Sequence, residues 1–170
     1  EAHNNTAVGE RAMHQNTTGN NNVAIGRSAL ENTTTAGLNT VIGQEAMSGI
    51  TAGIAVQDVV AVGLAAFKGS SSTTTGANGT IAIGRNALFA LTTGAGNVAI
   101  GYYTLDNITT GASNTAVGKQ AGFNNATGGY NSYFGFNRTS PHSMGALDNM
   151  GSAYRFNRWS HSPESCLEPR

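Results

Sequence analysis

Short β-branched runs end in glycine throughout the chain, as in "VAIG" and "TVIG", and a small apolar residue separates two branched ones. The closing glycine falls at Gly9, Gly26, Gly43, Gly63, Gly84, Gly101, Gly118 and Gly135, at spacings of 17, 17, 20, 21, 17, 17 and 17 residues. Such self-similarity at a fixed period marks a repeat architecture. The residue before each glycine is Val8, Ile25, Ile42, Val62, Ile83, Ile100, Val117 or Phe134. Two before, Ala stands in six of eight copies; three before, the residue is nearly always Thr, Val or Ile. Asn, including Asn22, stands four before in six copies.

Branched residues at period two predict a short strand whose alternate side chains point to opposite faces. The Val/Ile column and the Thr/Val column share one face, and the Ala column takes the other. On size alone, Val and Ile, such as Ile25 and Ile100, are expected to fill the interior. The Ala face is then expected to lie against a neighbouring chain. Four residues after the glycine come Met13, Leu30, Met47, Phe67, Leu88 and Leu105, five of them preceded by Ala. This pair reads as the start of a second short strand. A Thr/Gly-rich loop closes each copy. Residues 1–139 are thus expected to form one all-β, parallel β-roll or β-solenoid of about eight 17-residue rungs. Insertions near 54–58 and 68–79 are expected as loops on an unbroken stack. Each rung is too thin to bury its own apolar face, so stacking supplies the core. The aligned Asn amides are expected to bond along a ladder.

Composition narrows the function. Nine basic and nine acidic side chains among 170 residues cancel. This disfavours nucleic-acid binding by bulk electrostatics. The apolar stretch 50–67 carries Gln57 and Asp58 and is too short to insert in a membrane. A single cysteine, Cys166, excludes an internal disulfide. His3, His14, His142 and His161 show no metal-ligand spacing, and no catalytic constellation appears. No enzymatic activity, cofactor or metal is therefore expected. A start at Glu1 gives the expectation of a piece of something longer.

Ten of the twelve aromatic residues follow position 100. The eighth copy replaces the Ala-Val pair with Tyr133-Phe134, while the seventh carries Gly122 where others carry Leu or Met. Atypical end units cap solenoids. The same aromatic end is a candidate receptor-binding tip, with Tyr130, Tyr133, Phe136, Tyr154, Arg155 and Trp159 as its residues. Residues 140–170 break the period and are expected to be an irregular cap or a link to a following domain.

The tandem "N-x-A-I-G-x-x-A-L", carried by Asn22 to Gly26 with Ala29-Leu30 and their copies through Gly135, resembles the head repeats of trimeric autotransporter adhesins and the related repeats of phage tail fibres. The resemblance implies a left-handed, homotrimeric roll, outside the cell, assembling with itself and with other fibre or particle proteins. A host-surface glycan or protein would be the receptor. The longer period, with its extra Asn-Thr-Thr-Gly loop, favours a virion tail fibre that supports host attachment. A bacterial cell-surface adhesin head and the non-catalytic stem of an enzyme-bearing tailspike are the alternatives.

Overall fold

The computed structural model describes residues 1–70 and 75–138. Eight three-residue strands form one sheet in chain order: β1 (Thr6–Val8), β2 (Val23–Ile25), β3 (Thr40–Ile42), β4 (Val60–Val62), β5 (Ile81–Ile83), β6 (Val98–Ile100), β7 (Thr115–Val117) and β8 (Ser132–Phe134). Every neighbouring pair is parallel and in register, so Ala24 lies over Ala7 and Ile25 over Val8. The result is a β-solenoid of about seven turns with no α-helix among the described residues. The register crosses both longer copies unchanged, Val41 pairing with Ala61 and Ala61 with Ala82. A 3₁₀ turn at Thr75–Ala77 lies within the second of them.

The corner glycines explain the sharp end of each strand. All eight have φ between 106° and 139°, a region that residues with a Cβ avoid. A Cβ built on Gly26 would also come within 2.7 Å of the Gly43 carbonyl. Glycine is therefore required both by the turn and by the closeness of the next rung.

The A-L pair is not a strand. Leu30, Leu88 and Leu105 sit at φ 52°, 54° and 49°, in the left-handed region, as do Met13, Met47 and Phe67. Each such residue costs roughly 1–2 kcal/mol outside glycine. Bonds between rungs hold the turn against that cost: Leu30 N donates to Ala46 O at 3.0 Å, and Leu105 N to Ala121 O at 3.0 Å. A second left-handed position precedes it, at Ser28, Asn86, Tyr103 and their equivalents. Two inverted residues in four fold the chain back, which alternation in sequence could not reveal.

The faces of the strand are the reverse of the expectation from size. Ala24, Val41, Ala61, Ala82, Ala99 and Ala116 are fully buried. They face a core built from Leu30, Met47, Phe67, Leu88 and Leu105, together with Ile50, Leu91 and Ile108. The large side chains come from the turn across the rung, so the strand has room for only a methyl group. The Val/Ile column points outward: Ile25, Ile42 and Ile100 are each 37 % exposed and Val8 is 55 % exposed.

The Asn ladder forms as two three-member runs. Asn5 Oδ1 accepts from Asn22 N at 2.9 Å, and Asn22 Oδ1 from Asn39 N at 3.1 Å. Asn39 Oδ1 then accepts from Val59 N at 3.0 Å. Asn97, Asn114 and Asn131 repeat the arrangement at 2.9 and 3.0 Å. The amides of Asn5, Asn22, Asn39, Asn97 and Asn114 also donate to loop carbonyls in their own or the next rung, such as Gly111 O from Asn97 Nδ2. These buried donors and acceptors would cost about 1–3 kcal/mol each if left unpaired. Where Val59 and Thr80 replace Asn, the ladder stops, and Thr80 Oγ1 is buried without a partner among the described residues.

Candidate functional site

Two surfaces carry the residues with functional potential. The first is the outer face of the sheet, where the column from Val8 to Phe134 runs the length of the stack. Its members Ile42, Ile83 and Ile100 are 36–37 % exposed, and Phe134 is 63 % exposed. The Thr/Val column beside it, from Val23 to Thr115, is half-buried. Side chains of one kind thus lie over each other at the strand spacing, roughly 4.8 Å. The face is uncharged and largely apolar, with hydroxyls at Thr6, Thr40, Thr115 and Ser132. No ionisable side chain occupies either column in any of the eight rungs.

The second surface is the eighth rung and its surroundings. Tyr130 is 65 % exposed and Phe136 67 % exposed. Tyr133 is not at that surface: it is 6 % exposed, and burial pushes its phenol above the usual range. It occupies the Ala column, and its ring fits because Gly122 replaces the usual Leu. A Cβ on Gly122 would lie 3.0 Å from Tyr133 Cδ2 and would also meet Leu105 Cδ2. The two departures in the last copies are one structural change. Tyr154, Arg155 and Trp159 lie outside the described residues.

A cleft of about 320 Å³ opens at this end, lined by residues 124–128 with Asn131 and Tyr133. Asn131 Oδ1 and the Tyr133 hydroxyl have no hydrogen-bond partner among the described residues. In the preceding rungs the same Asn oxygen accepts a backbone N–H from the next rung. Asn131 therefore presents the acceptor that a further rung would use.

Charge is distributed unevenly along the rod. In the first four rungs cations meet carboxylates: Arg11 with Glu31, Arg27 with Glu45 at 2.9 Å, and Lys68 with Glu45 at 3.1 Å. The Lys68 hydrogen bond leads the causes that hold Glu45 below the ordinary carboxylate range. Lys68 also lies 5.8 Å from the centre of Phe89, but in the later rungs Arg85 and Lys119 meet rings with no carboxylate partner among the described residues. Lys119 Nζ is 5.7 Å from the centre of Tyr102 and 5.5 Å from that of Phe136, and Arg85 is 5.9 Å from Tyr102. Reading by period alone missed this column, because its residue type changes from copy to copy. The signal was in its alternation: Arg85, Tyr102, Lys119, Phe136, each one residue after a corner glycine.

Among the described residues no group of three or more His, Cys, Asp or Glu side chains could hold a metal. No helix there is long and apolar enough to cross a membrane. Comparison with protein-family models, curated proteins and solved structures returned no match.

Proposed function

We propose that the chain is a rigid structural segment of an extracellular fibre, of the kind found in phage tails, which trimerises with its own copies and supports attachment to a host surface. The observation that carries this reading is the uncovered Val/Ile column. All-parallel sheets occur almost only with both faces covered. Here the inner face is covered by the turn of the same rung, while the outer face meets solvent. A contiguous apolar strip on a soluble protein marks an interaction surface. Its occupant repeats at the rung spacing, which another copy of the same stack does by construction. Three-fold closure and the left hand come from the resemblance to adhesin and tail-fibre repeats. The fibre role rests on the same resemblance, supported by a stack that propagates without a break through both longer copies.

Light scattering on the purified chain tests the assembly. A mass three times that of the 17.4 kDa chain, independent of dilution, is expected. A folded monomer at all concentrations would rule out the assembly.

A further inference from the structure

The residue after each corner glycine is exposed in all eight rungs. In the last four rungs this column reads Arg85, Tyr102, Lys119, Phe136. The rings lie 5.5–5.9 Å from the cationic centres, so the column is a stack of alternating charge and aromatic face. A ring quadrupole orients a cation without cancelling its charge. On the same column Arg27 is neutralised by Glu45. Arg85 and Lys119 have no carboxylate partner among the described residues. The nearest acidic residue in sequence, Asp106, has Oδ1 buried and without a hydrogen-bond partner. One position further on in sequence stand Asn86, Tyr103, Gln120 and Asn137, two amides at least partly exposed on either side of a phenol and a third amide.

We propose that this strip binds a linear polysaccharide bearing a carboxylate on every second sugar, laid along the rod axis. Cations two rungs apart are separated by about 10 Å. A sugar unit in an extended chain is about one rung long, so every second sugar meets a cation. The uncharged sugars between them meet the exposed parts of Tyr102 and Phe136, which offer apolar surface beside the cations. Amides beside the column pair with hydroxyl groups. A polymer charged on every sugar would set a carboxylate against Tyr102, and a neutral polymer would leave both cations unused. Nucleic acid draws its affinity from many phosphate contacts, which two cations do not provide. The proposal takes from the fibre reading only that the rod meets a surface polymer.

Titration calorimetry on the full chain separates the possibilities. The probes are oligosaccharides of hyaluronan (alternating uronate), chitin (neutral) and polygalacturonate (charged throughout). Hyaluronan is expected to bind roughly tenfold or more tightly than either of the others, and to weaken with salt. Lys119→Gln should lose roughly tenfold in affinity for hyaluronan with the melting temperature unchanged. Lys119→Arg should retain the affinity, and Arg27→Gln should leave it as it was. Equal binding of chitin, tighter binding of polygalacturonate, no binding of any probe, or an unaffected Lys119→Gln variant would each overturn the proposal. A trimer that ignores all three glycans fails here alone. A monomer that still prefers hyaluronan fails only the assembly.

Discussion

The inner and outer faces of the same three-residue strand follow opposite rules. Inward, Ala99 has no exposed surface and contributes one methyl group; outward, Ile100 carries four side-chain carbons and is 37 % exposed. Side-chain size at a position reports the space opposite it. The turn of the same rung supplies Leu105 to the core, so the strand must be small for the core to reach close packing. The outer isoleucines have no opposite wall among the described residues. They partly shield one another along the ladder and leave the remainder uncovered.

The largest effect should follow from a charge on the inner face. Ala99→Asp buries an unpaired carboxylate and should cost several kcal/mol, enough to abolish the cooperative melt seen by circular dichroism. A soluble, fully folded Ala99→Asp protein would show that the faces are reversed.

A smaller effect sharpens the pairing of strand and turn across the core. Tyr133→Ala alone should cost about 3 kcal/mol, and Gly122→Leu alone about 1–3 kcal/mol through overpacking against Leu105 and Tyr133. Together they recreate an ordinary rung, since Leu already adopts the left-handed turn at Leu88 and Leu105. The double variant should therefore be more stable than the sum of the singles by at least about 1 kcal/mol. Additive melts would mean that the two sites do not share one space.

The smallest effect concerns the turn itself. Burial raises the carboxyl group of Asp106, and its Oδ1 is buried without a partner among the described residues. A raised native pKa means that the folded chain binds the proton more tightly than the unfolded chain. Its contribution to stability is full below the unfolded value and is lost as pH rises through the native one. Asp106→Asn should therefore raise stability at neutral pH by about 1 kcal/mol and flatten that part of the pH profile. Denaturant titrations of both proteins between acid and neutral pH measure it.

Much of this was legible in the sequence. Positions three to one before each glycine are the strands in all eight copies, because β-branched spacing and a glycine requirement are both local. The Asn ladder was legible because identical amides at one period must meet when rungs stack. The direction of the faces was not, because a two-residue alternation looks the same from either side. One clue existed within the chain: copies seven and eight change together, Leu to Gly122 and Ala to Tyr133, which places those two columns in contact. The second strand was misread because left-handed Leu and Met carry no compositional mark. Gly122, at φ 66°, was the one described residue on that column whose type fitted its backbone. The cation–ring column escaped notice because it conserves an alternation and not a residue.

Ile100→Asp tests the outward face most directly. At 37 % exposure the substituted carboxylate can reach water in a single chain but is buried wherever copies meet. Sedimentation equilibrium combined with circular dichroism on this variant should show a folded, single-chain species with β-structure intact, where the unaltered chain is expected to sediment as a trimer. An unfolded chain would place Ile100 in the core, and an unchanged trimer would place the contact between copies elsewhere; either would contradict the outward Val/Ile face as the surface of assembly.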